Sequence, residues 1–203
     1  MNIDGKKITD LRFADDIALI TTSVRQMEKQ LNMINEESKK ISLKIHRGKT
    51  KYMMNFNSKK KIIVDETEIE KVNEYKYLGQ TIAMEDTTPN EVKARIRSSW
   101  STFGRYKCIF TNKELPMCLK RKAFNTCIIP AMIYGCQTWT LTKSTVDKLR
   151  KCQRAMERKM LGISLRDKVE NTQIRVNTGL EDVVEVLTKA KMEVGRACGQ
   201  NGR

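Results

Sequence analysis

Hydrophobic and polar positions alternate along the first part of the chain with the period of strands and recur along the rest with the period of helices. In Leu11-Arg12-Phe13-Ala14-Asp15-Asp16-Ile17-Ala18-Leu19-Ile20, two short apolar runs of period two flank a pair of adjacent carboxylates, which predicts strand, acidic turn, strand. The preceding Asn2-Ile3-Asp4-Gly5-Lys6-Lys7-Ile8 contains Asp-Gly, a strong hairpin-turn signal, so the chain is expected to begin inside a sheet that continues upstream. The period then lengthens. Val24, Met27, Leu31, Ile34, Ser38 and Ile41 recur at steps of three and four behind a Ser23…Gln26 capping pair, predicting an amphipathic helix over about 24–40. Residues 42–53 read as two short strands around an Arg47-Gly48 turn. Residues 61–69 read as a hairpin with charged residues at its turn.

After a boundary near residues 85–87 the pattern is helical throughout. Thr88-Pro89-Asn90-Glu91 combines an N-cap, a proline at the first helical position and a glutamate at the third, ahead of Val92, Ile96, Trp100 and Phe103. Pro116 opens a second helix that is expected to kink or end at Pro130. Ser144-Thr145-Val146-Asp147 caps a third, whose packed stripe is Val146, Leu149, Gln153, Met156 and Met160. A last helix is expected over about 181–194, with Gly195, Gly199 and Gly202 suggesting a frayed end. The expected fold is α+β: antiparallel hairpins with one packing helix over residues 1–86, followed by an all-helical domain over 87–203.

Composition changes this picture in one respect, the charge. The 203 residues carry a formal net charge of +15. Residues 93–175 hold nineteen basic residues against five acidic ones, a surplus of fourteen. Such a block favours a polyanionic partner, because each phosphate it neutralises releases counterions. Within it Arg150, Arg154 and Arg158 recur every four residues, with Lys151 beside them and few opposite charges to pair the row. This row either follows a phosphate backbone or is a solvated face. No apolar run is long enough to span a bilayer and no signal core opens the chain. The six cysteines form no CxxC pair and there is one histidine, so reduced thiols in an intracellular protein, nuclear or cytoplasmic, are expected and a zinc finger is not.

Asp15 and Asp16 are the chief candidates for chemistry. Adjacent carboxylates at a tight turn repel, so a site that keeps both ionised needs a compensating cation. A hard divalent ion with oxygen ligands would serve. Asp-Asp is also ordinary turn chemistry.

Phe13-Ala14-Asp15-Asp16 between hydrophobic residues resembles the metal-binding hairpin of reverse transcriptases, and later stretches resemble the same enzymes in order, in the variant of non-LTR (LINE-type) retrotransposons. Ser42-Leu43-Lys44-Ile45-His46 followed by Lys49-Thr50-Lys51 is similar to their GLKIN…KTK element, with serine in place of the glycine and histidine in place of the asparagine. Tyr75-Lys76-Tyr77-Leu78-Gly79 resembles their FxYLG element. Pro130-Ala131-Met132-Ile133-Tyr134-Gly135-Cys136-Gln137-Thr138-Trp139 is similar to their PxLxYGxExW stretch, with Met132 for leucine and Gln137 for glutamate. The resemblance implies the C-terminal part of a polymerase palm over 1–86 and a basic thumb with a shortened C-terminal extension over 87–203.

It further implies that Asp15 and Asp16 are catalytic and hold Mg²⁺, that Lys49 lies near the incoming triphosphate, and that Leu78 and Gly79 belong to the primer grip. Arg150, Lys151, Arg154 and Arg158 are the nucleic-acid-binding candidates. The parent enzyme would copy an RNA template from a DNA primer with deoxynucleotide triphosphates, with no membrane partner. Template-directed synthesis uses two metals roughly 3.5–4 Å apart. The family completes that site with a further aspartate upstream of the hairpin, and Asp4 and Asp10, which precede it here, stand in other contexts. The expectation is therefore a fragment that does not polymerise by itself. The alternative is a non-catalytic nucleic-acid-binding protein made from such a fragment.

Overall fold

A computed structural model describes residues 2–3, 6–56 and 60–200, with side chains placed over 8–56 and 60–193. The Asp4-Gly5 turn and Gly202 lie outside the described residues. The chain is α+β and divides into two compact units, Met1–Met84 and Glu85–Arg203.

The first unit is built of short strands in pairs. β1 (Asn2–Ile3) pairs with β2 (Lys6–Lys7), and β3 (Asp10–Phe13) pairs antiparallel with β4 (Asp16–Leu19). α1 (Val24–Lys40) follows, capped by Ser23, whose side chain accepts from the Gln26 N–H at 3.2 Å. Its Val24, Met27 and Leu31 pack on Tyr52, Ile62, Val64 and Ile69, the buried core of this unit. Ile41, read as the end of the apolar stripe, is exposed because the helix has ended at Lys40.

The two strands expected over 42–53 do not both form. The Arg47-Gly48 turn forms, held by His46, whose carbonyl accepts the Lys49 and Thr50 N–H groups at 3.0 Å and whose Nδ1 accepts from Lys49 N–H at 3.2 Å, but residues 43–46 ahead of it make no strand. Only β5 (Lys51–Tyr52) is extended, and it pairs parallel with β8 (Glu70–Lys71), so the pairings are not all antiparallel. Between them β6 (Ile63–Val64) and β7 (Thr67–Glu68) form the hairpin read over 61–69, with Asp65 and Glu66 both at positive φ (53° and 62°), the geometry of a two-residue type I′ turn. β9 (Glu74–Tyr77) and β10 (Gln80–Ala83) form the last hairpin.

Asp65 ties three pieces together. It pairs with Lys39 of α1 at 2.9 Å and with Arg47 at 3.2 Å, and Arg47 also donates to the Thr67 hydroxyl. The Lys39 ammonium holds the Asp65 carboxyl below its ordinary range. A depressed carboxyl contributes stability above its unfolded pKa and loses it as pH falls through the folded value. The thermal midpoint of the unit that carries α1, followed by circular dichroism, is expected to drop below about pH 4, and Asp65→Asn should flatten that acid limb.

The second unit is helical: α2 (Thr88–Arg105), α3 (Lys107–Phe110), α4 (Met117–Ala123), α5 (Ile129–Ile133), α6 (Lys143–Leu161), α7 (Asn171–Thr178) and α8 (Val183–Gln200). Phe103, Phe110, Phe124, Met132, Leu149, Met156 and Leu187 are among the side chains of its core. Four expectations change. Thr88, expected as the N-cap of α2, is its first helical residue and follows the cap Thr87; Asp86 accepts the Thr88 N–H at 3.0 Å, and the Thr88 hydroxyl accepts the Thr140 N–H. The cap of α6 is Thr142, in a reciprocal box with Thr145, and Ser144 lies inside the helix. Pro130 does not end its helix: a π-turn over Phe124–Ile128, closed by Ile129 N–H to the Phe124 carbonyl, widens the preceding turn and makes room for the ring. α8 runs on through Gly195 and Gly199 to Gln200 instead of fraying at Val194. The five described cysteines are free. Among the described residues no helix is long and apolar enough to cross a membrane.

Candidate catalytic hairpin and basic groove

The β3–β4 hairpin turns through two residues, Ala14 and Asp15, between the paired Phe13 and Asp16. Ala14 takes φ 52°, a left-handed conformation that costs a residue with a Cβ about 1–2 kcal/mol. Asp15 therefore sits at the tip and Asp16 opens the return strand, on the face that carries Phe13 and, by alternation, Leu11 and Ala18. Both aspartates are exposed. So are the apolar side chains around them: Phe13 is 63% accessible, Leu11 46% and Ile17 44%, on both faces of a two-stranded ribbon.

Asp10, at the foot of β3, is taken up by Arg12 at 2.6 Å and by the Thr9 hydroxyl. Among the described residues no three His, Cys, Asp or Glu side chains converge as metal ligands. Two adjacent carboxylates suit one hard cation that keeps most of its waters. They do not make up the donor set of a two-metal centre.

Lys49 is exposed on the His46 turn, where its carbonyl accepts the Tyr75 hydroxyl at 3.0 Å. No hydrogen bond or ion pair among the described residues joins its ammonium to Asp15 or Asp16. Leu78 and Gly79 form the tip of the β9–β10 hairpin, at φ 49° and 78°. Glycine is at ease there. Leucine is not, yet Leu78 holds the strained conformation with its side chain 37% accessible.

In the helical unit, Arg150, Lys151, Arg154 and Arg158 line one side of a groove of about 910 Å³, which Arg175 of α7 and Lys159 also line. The expectation of few opposite charges is corrected here. Asp182, 2% accessible at the start of α8, pairs with Arg150 at 3.4 Å, Arg154 at 3.4 Å and Arg175 at 3.5 Å, and accepts the Val184 N–H at 2.9 Å. Arg154 also bonds Glu157, which is fully buried; burial pushes that carboxyl above its ordinary range although Arg154 opposes the shift. These partners lie next to the arginines in space and, for Asp182, far away in sequence.

Arg158 donates to the Val169 carbonyl at 3.1 Å and to the Asn171 side chain at 3.0 Å, and its Nη1 is buried without a partner. Lys151 is exposed, with no ion pair among the described residues. The groove is thus a cationic surface braced from beneath by two buried carboxylates. Arg154 and Asp182 fix its shape, and Lys151, Lys159 and the half-exposed Arg150 and Arg175 supply its accessible charge.

Gln153, a polar residue in the apolar stripe of α6, proves to be a structural joint. Its amide donates to the Glu181 carbonyl at 2.8 Å and accepts the Val183 N–H at 2.8 Å, clamping the first turn of α8. Trp139, at the end of the Tyr134-Gly135…Trp139 stretch, is buried, and its carbonyl accepts from Lys191 of α8.

Residues 2–82 match the family of reverse transcriptases (RNA-dependent DNA polymerases). Over 204 aligned residues the chain is 29% identical to a transposon-derived protein of Caenorhabditis elegans, an alignment that covers 95% of this chain and 72% of that protein. No solved structure matches the chain. The first unit therefore carries a reverse-transcriptase-like element, with the Asp15-Asp16 hairpin inside it.

Proposed function

We propose that this reverse-transcriptase-like element is the C-terminal part of the palm of a non-LTR, LINE-type enzyme, and that residues 87–203 are its thumb. The observation that carries this reading is the paired aspartates at the tip of a strained two-residue hairpin, within the stretch that matches the family. Asp15 and Asp16 would contribute oxygen ligands to Mg²⁺, Lys49 would face the triphosphate, and Leu78 and Gly79 would approach the primer. The partners are an RNA template and a DNA primer, with deoxynucleotide triphosphates in the complete enzyme. By itself the chain binds nucleic acid and does not extend it, because the described residues offer two carboxylates where the reaction requires a larger donor set.

The groove favours a second reading, in which nucleic-acid binding is the whole activity and the aspartates are idle. Both readings predict that an RNA–DNA hybrid binds through the helical unit, and this is tested by fluorescence anisotropy at increasing salt. With about four phosphates neutralised, affinity is expected to fall roughly 100-fold between 50 and 200 mM salt. Lys151→Ala should lower the salt slope by about one, and Asp15→Ala should leave it unchanged. A flat salt response, or equal loss on Asp15→Ala, would contradict binding through the groove.

A further inference from the structure

A second cavity adjoins the basic groove. It has a volume of about 450 Å³ and lies where Trp100, Phe103 and Gly104 of α2 face the C-terminal end of α6. It shares Lys159, Ile163 and Ser164 with the groove, so the two are continuous at Lys159. Its wall is aromatic and fixed. Trp100 is half-buried and meets Phe103 edge-on at 5.5 Å, and Phe103 stacks on Phe110 at 4.7 Å with the rings 9° from parallel. A Cβ added at Gly104, which lines the same cavity as Trp100, would meet nothing within 4 Å, so the cavity is open at that position. The Lys159 ammonium lies 6.0 Å over the Trp100 ring, the outer limit of a cation–π contact, and is weakly held there.

A rigid aromatic wall, a neighbouring cation at loose range and a contiguous phosphate-attracting groove are the parts of a single-strand site. There one base stacks on the ring and the backbone runs along the cations. A paired base keeps both faces inside its own duplex, whereas an unpaired base has a face to offer. Building on the reading of the groove as a nucleic-acid surface, we propose that the α2–α6 cavity seats one unpaired nucleobase of a single-stranded segment. The base stacks on Trp100, and its flanking phosphate draws Lys159 toward the arginine groove.

The test uses the full chain and two labelled oligonucleotides of about ten nucleotides, oligothymidylate and the same backbone without bases, at one salt concentration. The wild-type protein is expected to bind oligothymidylate about tenfold more tightly than the abasic strand, and its indole fluorescence should be quenched by the first and not by the second. Gly104→Leu fills the open space without entering the core, and should abolish the difference while leaving abasic binding unchanged. Trp100→Ala should do the same, and Trp100→Phe should restore most of the preference. Equal affinity of the wild-type protein for both strands, or a preference that survives Gly104→Leu, overturns the base site and leaves the groove standing. Failure of both strands to bind overturns the groove as well.

Discussion

Asp182→Ala is expected to destabilise the helical unit by about 3–5 kcal/mol, the range for removing one partner from a buried charge cluster. The cause is the number of groups that depend on one carboxylate. Arg150, Arg154 and Arg175 converge on it, and Val184 N–H, in the first turn of α8, is hydrogen-bonded by it. Without Asp182 the half-exposed Arg150 and Arg175 can turn to water, but Arg154, 11% accessible, is left with the buried Glu157 alone. Asp182→Asn should recover little, since an amide can still accept from Val184 but carries no negative charge to set against the guanidinium groups. Both tryptophans of the chain, Trp100 and Trp139, lie in the helical unit, so urea unfolding followed by their fluorescence reports on this unit. Against a typical domain stability of roughly 5–15 kcal/mol, a loss of this size brings the unit close to unfolding at room temperature. A loss below about 1 kcal/mol, the level of an exposed ion pair, would contradict the bracing role.

The second large effect is expected at Gln153. Gln153→Ala removes a side chain with no accessible surface and leaves the Glu181 carbonyl and the Val183 N–H without their partner. Each unsatisfied buried group costs about 1–3 kcal/mol, so the total is roughly 3 kcal/mol or more. Gln153→Leu separates packing from hydrogen bonding: it keeps most of the volume and none of the polar contacts. If the amide clamp dominates, leucine should be nearly as damaging as alanine, with amide hydrogen exchange speeding up first along α8. A leucine variant as stable as the wild type would show that Gln153 serves by volume alone.

These two residues mark the limit of what the chain reveals before it is folded. Period and capping disclosed α1 closely, because Ser23, Val24, Met27 and Leu31 are local signals read within one helix. The acidic hairpin was legible for the same reason, since two apolar runs around Asp15 and Asp16 leave little choice of register. The left-handed Ala14 and Leu78 were not, because residues with a Cβ give no warning of positive φ. Local pattern also misled at Pro130, where the π-turn absorbs a proline that would otherwise stop the helix, and at Ser42–Ile45, where the chain leaves α1 through Ser42 at φ 61° and Leu43 N–H returns to the Ser38 carbonyl, so no strand forms. α7 gave no clear period and was missed. Gln153 was visible as a member of the stripe, but its amide in an apolar row was the only sign of a joint. The arginine row looked unpaired because Asp182 lies 28 and 32 residues beyond Arg154 and Arg150, brought back by the packing of α8 on α6. Of the residues that give the groove its accessible charge, Arg150 and Lys151 were legible in the row, whereas Lys159, Arg175 and the carboxylates that shape the groove were not.

A template-dependent primer-extension assay, with the chain alone, Mg²⁺, all four deoxynucleotide triphosphates and an RNA template annealed to a DNA primer, tests the central claim most directly. The expected result is a primer that is bound and left at its original length. Extension that disappears on Asp15→Ala would contradict it, and would mean that the exposed aspartate pair recruits the rest of a two-metal site from residues not brought together in this structure.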